Sequence, residues 1–414
     1  MAVSVQTLQK IDRWFGPPAQ VLLQPVRWFG RRAPESTERI LVVKFWGLGS
    51  ITLLGPAVRV LRKRFPGAAI DLLTLSGNAN YARRLGAFDE ILSFQLGSNL
   101  PSMPYEIIRT LLRVRARNYD RLYDFEFLTH FSALIAKLSK AAWTSGYSSP
   151  DVWRGGFFDE ETPFNRYWHV ARNARSLAGG ENGFEVTLPE LIGPTPSAEG
   201  RAEADRALAD GPVNPNRPII VVNVNAGKLA LERRWPVEHF ITFLNGLSGH
   251  TRESLRFGLR PGDVRIVMTG SPDERDYVES IRLKTTDPDR LDNFAGGLSM
   301  DGFLGLLDRA AVVVSNDSGP LHIAAAMNRP VVALFGPETP VMYAPLSTHK
   351  FIFYKPPACS PCINVHDNKL ATCHLGFPLC LERIAPDEVL NAVENLLNVT
   401  GARRSTKASA RESQ

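Results

Sequence analysis

Short, nearly continuous apolar runs alternate with amphipathic stretches along most of this chain. The first run, Ile40-Leu41-Val42-Val43-Lys44-Phe45, has the composition of a parallel strand buried on both faces. Gly47-Leu48-Gly49-Ser50 then makes a tight turn. Residues 51–65 predict a helix with Leu54, Val58 and Leu61 on one face, stopped by Pro66-Gly67. Ala69–Leu75 reads as a second strand, completing a βαβ unit with a right-handed crossover. Further strands are expected near Glu90–Phe94 and Arg121–Phe125, each followed by a helix.

The alternation pauses between Val186 and Pro218, where Pro189, Pro194, Pro196, Pro212, Pro215 and Pro218 surround one short helical piece at residues 197–209. It then restarts. Strands are expected at Ile219–Val224, Val264–Thr269, Val312–Ser315 and Val331–Phe335, with helices at Val237–Leu247, Asp273–Leu283, Ser299–Ala310 and Leu321–Met327. This divides the chain into an N-terminal arm (1–37), a first Rossmann-like lobe (38–185), a linker (186–217), a second lobe (218–398) and a disordered tail (399–414). The fold class is α/β, with two doubly wound lobes expected to face each other across a cleft. In open α/β sheets ligands bind outside the carboxyl ends of the strands.

The arm is set apart by Trp14, Phe15, Trp28 and Phe29 beside Arg13, Arg27, Arg31 and Arg32, with Pro17, Pro18, Pro25 and Pro34 interrupting any long helix. Aromatic and arginine side chains together suit a lipid headgroup interface, and they equally suit an arm packed on the body. Composition changes the picture little. With 414 residues, 44% hydrophobic and 22% charged, the chain resembles an ordinary two-domain globular protein. No apolar stretch is long enough to span a bilayer and the start lacks a secretory signal, so the expected location is the cytoplasm. The net charge of +6 favours anionic partners such as nucleotide diphosphates or an anionic membrane surface. Nucleic acid is not expected, since the recognition motifs for it are absent.

Chemistry concentrates at strand ends. In Ser315-Asn316-Asp317-Ser318-Gly319-Pro320-Leu321-His322 a strand gives way to a polar turn and a helix start, with Asp317 or Ser318 available as cap and Pro320 in the first turn. Free N–H groups and the positive helix end there suit a diphosphate, Gly319 permits close approach, and His322 adds a donor. An ordinary capped helix reads the same way. A second turn, Asn223-Val224-Asn225-Ala226-Gly227, is followed by Arg233-Arg234-Trp235-Pro236; one arginine suits a leaving diphosphate and the other a solvated surface. A third, Gly270-Ser271-Pro272-Asp273-Glu274, offers an acidic group for a ribose, with Asp273 as the helix cap. Gly47-x-Gly49 lacks the third glycine of a dinucleotide fingerprint, which disfavours an NAD enzyme. The four cysteines, Cys359, Cys362, Cys373 and Cys380, fall in one window; a structural zinc is one reading and free thiols the other.

The Asp317-Ser318-Gly319-Pro320-x-His322 stretch, the segment Arg329 to Pro337, the Lys44 to Pro56 turn, Arg233 to Pro236 and Cys-Ser-Pro-Cys at 359–362 together resemble glycosyltransferase family 9, the ADP-heptose:lipopolysaccharide heptosyltransferases. The resemblance covers roughly residues 38–395. It implies a GT-B fold and inverting transfer of a sugar, heptose or similar, from an ADP-linked donor to a lipopolysaccharide-core or other glycolipid acceptor. It implies no required metal or cofactor; peripheral contact with the inner membrane is the expectation that the arm's aromatic and arginine side chains add. By position it places Asn225, Gly227, Arg233, Gly270, Glu274, Asp317, Ser318, Gly319 and His322 on the donor side, and Gly47, Gly49 and Ser50 on the acceptor side. Arg233 stands where the family usually has lysine, and Ser50 where it usually has an aspartate base. A serine hydroxyl has no useful basicity near neutral pH. Asp124 and Glu126, at a strand end, are the candidate replacements; the alternatives are a positioning role for Ser50, or a protein that binds a nucleotide sugar without transferring it.

Overall fold

The computed structural model describes residues 5–23, 33–95, 102–180, 191–209, 217–227, 230–251, 260, 262–363 and 372–402. These fall into two compact units, one up to Ile192 and the other from Gly193 onward. Trp28, Phe29, Arg27, Arg31, Arg32, residues 186–190 and 210–216 of the proline-rich linker and the tail beyond residue 402 lie outside the described residues.

The first unit runs α1 (Val5–Leu23), β1 (Arg39–Val43), α2 (Leu48–Thr52), α3 (Gly55–Arg64), β2 (Ala69–Leu75), α4 (Ser76–Leu85), β3 (Ile91–Phe94), α5 (Met103–Arg115), β4 (Arg121–Asp124), α6 (His130–Leu138), β5 (Trp143–Ser148), β6 (Glu160–Pro163) and α7 (Val170–Leu177). Its sheet is wholly parallel, in the order β3-β2-β1-β4-β5-β6. Leu41 and Val43 of β1 point into a core completed by Phe94, Leu111, Val114, Leu122, Ala133 and Ala136. Phe45 sits edge-on to Phe94, with ring centroids 5.4 Å apart.

The second unit runs α8 (Ala198–Ala209), β7 (Ile219–Asn223), α9 (Val237–Leu247), β8 (Arg265–Thr269), α10 (Arg275–Arg282), β9 (Leu291–Asn293), α11 (Met300–Arg309), β10 (Ala310–Asn316), α12 (Gly319–Ala326), β11 (Val331–Phe335), α13 (Pro340–Tyr343), β12 (Lys350–Tyr354), α14 (Leu379–Glu382) and α15 (Pro386–Val399). Its parallel sheet has the order β12-β11-β10-β7-β8-β9. Trp235, fully buried, anchors the core: its ring meets Phe240 edge-on at 5.0 Å and its Nε1 donates to the Ile384 carbonyl at 3.0 Å. Counted from its own first strand, each sheet has the same order. Both therefore reverse direction between their first and fourth strands, at β1/β4 and at β7/β10, which is where doubly wound sheets bind ligands.

Several details differ from the sequence reading. Pro17 and Pro18 lie inside α1 and do not end it; their missing N–H groups cost two helical bonds, while the neighbouring Gly16 packs so closely that a Cβ there would meet His130 at 2.4 Å. The helix expected over residues 51–65 is two helices, broken at Leu53-Leu54, although Leu54, Val58 and Leu61 are buried as expected. The short helix inside the proline-rich stretch is α8; it packs on α11 of the second unit, where Gly200 lies against Asp301. The cap after β8 is Ser271 in a reciprocal capping box with Glu274, not Asp273. Among the described residues, no helix is long and apolar enough to cross a membrane.

Candidate active site

At the first unit's switch point, β1 ends at Val43 and the chain turns through Gly47 into α2. Gly47 has φ +83°, a left-handed conformation that favours glycine, and a Cβ there would lie 3.3 Å from Ser50 Oγ. Gly49 is buried within α2 and Ser50 is half-buried. The turn is held from below by Glu126, whose carboxylate accepts from the backbone N–H groups of Phe45 and Trp46 and from Lys44 Nζ at 3.2 Å. Lys44 Nζ also sits 3.9 Å above the Phe127 ring. Burial pushes the Lys44 ammonium below its usual range, against the pull of Glu126.

Asp124 closes β4 beside it. Its Oδ1 accepts from the Glu126 N–H at 3.0 Å, and its Oδ2 accepts from Ser132 Oγ at 2.8 Å and from the Arg154 guanidinium. Burial raises its carboxyl above the ordinary range, with Arg154 opposing. Asp124 is 0% exposed and Glu126 1%. Both carboxylates are already engaged inside the unit, Asp124 by Ser132 and Arg154 and Glu126 by Lys44 and two backbone N–H groups. Both are held as internal struts because each answers a buried cation or orphan N–H groups. Arg154 and Lys44 are the residues the sequence reading missed. Arg154 lies in an unpatterned loop, and nothing in the sequence marks it as the partner of Asp124.

At the second unit's switch point a network of short polar side chains ties β7 to β10. Asn223 Nδ2 donates to Ser315 Oγ at 3.1 Å and to Ser318 Oγ at 2.9 Å. Asn316 Nδ2 donates to the carbonyls of Val224 and Asn225, and its Oδ1 accepts from the Trp235 N–H at 3.0 Å. Asn225 Nδ2 donates to the Thr269 carbonyl at 3.0 Å, while its buried Oδ1 has no partner. Gly270 is required here, since a Cβ would lie 2.7 Å from Asn225 Nδ2.

Ser318 is the N-cap of α12, with Pro320 in the first turn, yet its hydroxyl is turned to Asn223 and Ser315 and makes no cap bond. The Ser318 hydroxyl therefore does not cap the first N–H groups of α12, which begin with Gly319 and carry the positive end of the helix dipole. Arg233 Nη1 lies 3.4 Å from Asp317 Oδ2 and its Nη2 donates to the Ala226 carbonyl at 2.9 Å, leaving a buried Nε without a partner. His322 is 4% exposed; its Nε2 lies 3.7 Å from Asp317 Oδ1 and its Nδ1 has no partner. Gly227, at φ +70°, has open space beside it. So Asn225, Arg233, Asp317, Ser318, Gly319 and His322 are brought together, with several unspent polar atoms. Glu274 is less available: its carboxylate accepts from the Ser271 N–H and hydroxyl at 2.9 Å and faces Arg234 at 4.0 Å. Arg234 is not simply solvated, since it stacks 4.0 Å above the Tyr277 ring.

Cys359, Cys362, Cys373 and Cys380 line one pocket of the second unit with Glu232 and His374, all four as free thiols. Burial pushes the Cys380 thiol up to about 11. Among the described residues, no three His, Cys, Asp or Glu side chains are grouped so as to hold a metal ion.

Known proteins match this chain in sequence and fold. Lipopolysaccharide heptosyltransferase 2 of Salmonella typhimurium is 23% identical over 373 residues, covering 88% of this chain and 99% of that protein. The solved E. coli ADP-heptose lps heptosyltransferase II superposes with a TM-score of 0.66 at 21% identity, over 88% of this chain and 99% of that one. E. coli heptosyltransferase WaaC with ADP-2-deoxy-2-fluoro heptose superposes with a TM-score of 0.55 at 18% identity, over 76% and 92%. These likenesses show the fold, which is of the GT-B type. Residues 107–371 match the family itself, and the chain belongs to glycosyltransferase family 9 (heptosyltransferase).

Proposed function

We propose that this protein transfers a sugar, heptose or a close relative, from an ADP-linked donor to a glycolipid acceptor, with inversion and without a required metal. The observation that carries this reading is the N-terminus of α12. Ser318 spends its hydroxyl inside the polar network and not on the helix, whose first N–H groups are the kind of donors that bind an anion. The unpartnered Nδ1 of His322 and Nε of Arg233 add donors beside it. In transfer, the acceptor hydroxyl oxygen bonds to the anomeric carbon as the bond to the diphosphate breaks. The electron pair leaves on the diphosphate, where helix N–H groups, Arg233 and His322 would meet the growing charge. The hydroxyl proton passes to water, and Ser50 serves to orient the acceptor.

The test is to incubate the protein with ADP-heptose and other nucleotide sugars, with and without a lipopolysaccharide-core acceptor and with a chelator present. Acceptor-dependent release of ADP that survives the chelator is expected; no release with any donor would overturn the reading. His322→Ala and Arg233→Ala should each weaken ADP binding by about 1.5–3 kcal/mol, roughly tenfold to a hundredfold in Kd, as measured by calorimetry. Unchanged affinity in both would remove the phosphate site from α12.

One observation favours a second reading. Ser50 stands at the expected base position and the nearby Asp124 and Glu126 are buried struts, a pattern that also fits a protein that holds a nucleotide sugar without transferring it. Donor binding with no turnover would select it.

A further inference from the structure

From Lys10 onward, the helix α1 is built inside out. At 100° per residue, Asp12, Gly16 and Gln20 fall on one stripe, and this polar stripe is the face that packs on α6. Asp12 accepts from the His130 and Phe131 N–H groups, Gln20 Oε1 lies 3.0 Å from His130 Nδ1, and Gly16 abuts the His130 ring. The apolar stripe points outward: Trp14, Phe15 and Leu22 are 71–80% exposed, with Val21 beside them. A helix of a globular protein buries its apolar stripe and wets its polar one, so α1 is patterned for a second apolar medium.

α5 repeats the signal in another form. Ile107, Leu111 and Val114 face the core, as expected. On the opposite side Tyr105, Ile108 and Leu112, spaced as one helical stripe, are 58–65% exposed. α5 adjoins α6 on the same side of the sheet, where Arg115 Nε donates to the Leu138 carbonyl at 2.7 Å, and α1 contributes Leu23 to the same core. Thus α1 and α5 both adjoin α6 and share its core. Exposed cations border both stripes: Lys10 and Arg13 on α1, Arg109 and Arg113 on α5. Against them Glu106 alone, 3.8 Å from Arg109, brings a negative charge from the exposed sides of these two helices.

We infer that the outer faces of α1 and α5 form one docking surface for an anionic phospholipid bilayer, with Trp14, Phe15, Leu22, Ile108 and Leu112 entering the headgroup layer and the four cations meeting lipid phosphates. Aromatic and aliphatic side chains ringed by arginine and lysine are the composition of an interfacial helix. A second copy of the chain is a poorer occupant, because a two-fold contact would bring these cations against their like. The inference deepens the proposed glycolipid acceptor by naming where the lipid surface sits, but vesicle binding needs neither donor nor acceptor.

The experiment is flotation of the full chain with vesicles of phosphatidylcholine alone and with phosphatidylglycerol added. The chain should float with the anionic vesicles and be released in part by high salt. Trp14→Ser with Leu22→Ser, and Ile108→Ser with Leu112→Ser, should each lower the bound fraction by about tenfold. Arg109→Glu with Arg113→Glu should remove the preference for anionic lipid. These positions are exposed, and unchanged calorimetric binding of ADP checks that each variant is folded. No flotation of the unaltered chain, or equal flotation of both serine variants, overturns the inference. A solution dimer that the serine variants abolish, without vesicle binding, assigns the surface to a second copy and also overturns it. Vesicle binding with no nucleotide release would instead sink the transferase reading and leave the docking surface standing.

Discussion

Replacing Asp124 by asparagine is expected to destabilise the first unit by about 3–5 kcal/mol, because it removes the carboxylate paired with the buried Arg154 guanidinium. Arg154 is 4% exposed, and its Nη2 shares Asp124 and Ser132 as partners. An amide keeps the shape and two of the contacts but supplies no charge to a cation that cannot reach water. The check is denaturant unfolding followed by tryptophan fluorescence, where the midpoint should fall steeply. Adding Arg154→Met to Asp124→Asn should recover a large part of the loss, since removing both charges of a buried pair costs far less than removing one. A stable Asp124→Asn protein that binds ADP and has lost all turnover would return Asp124 to the role of general base.

The second large effect is a gain. Ser50→Asp should raise kcat about a hundredfold or more, with little change in ADP affinity. A positioned general base contributes typically 10²–10⁴-fold, and the protein as it stands presents no exposed carboxylate at Asp124 or Glu126 to supply one. The half-buried place of Ser50 on α2, one turn past Gly47, admits the longer side chain more easily than a core position would. The gain should appear as an acidic limb in the pH–rate profile, absent from the unaltered protein, at the pKa of the new carboxylate. An unchanged rate and profile would mean that proton removal is not what limits this chain, and that the acceptor is oriented from elsewhere.

Most of the fold was legible because it follows from local pattern. β2, α9 and β11 fall where the apolar runs put them, and Ala69–Leu75, Val237–Leu247 and Val331–Phe335 match to the residue. Strands buried on both faces leave a continuous apolar signature, and Pro and Gly punctuate it. The strands β5, β6, β9 and β12 were not read; for two of them the reason is that they are short or polar, since Glu160–Pro163 carries two glutamates and Leu291–Asn293 is three residues long. The edge strand β6 is largely exposed and so needs little apolar pattern.

The donor-side cluster was legible for the same reason. A strand end, a Ser-Gly-Pro helix start and a histidine one turn on lie within one continuous stretch, and backbone geometry alone brings Asp317, Ser318, Gly319 and His322 together. What the sequence by itself determined is therefore everything carried by neighbours in the chain: two parallel α/β sheets, their glycine turns and the polarised start of α12. What only the tertiary structure decided is what distant residues do to one another. It turned Ser318 away from its cap towards Asn223, gave Asp124 to Arg154 and Glu126 to Lys44, and set the apolar stripe of α1 outward by packing its polar one on α6. Pairing across the fold fixes whether a carboxylate is a strut or a base, because burial and counter-charge depend on which groups lie within a few ångströms in space, and no local spacing encodes that.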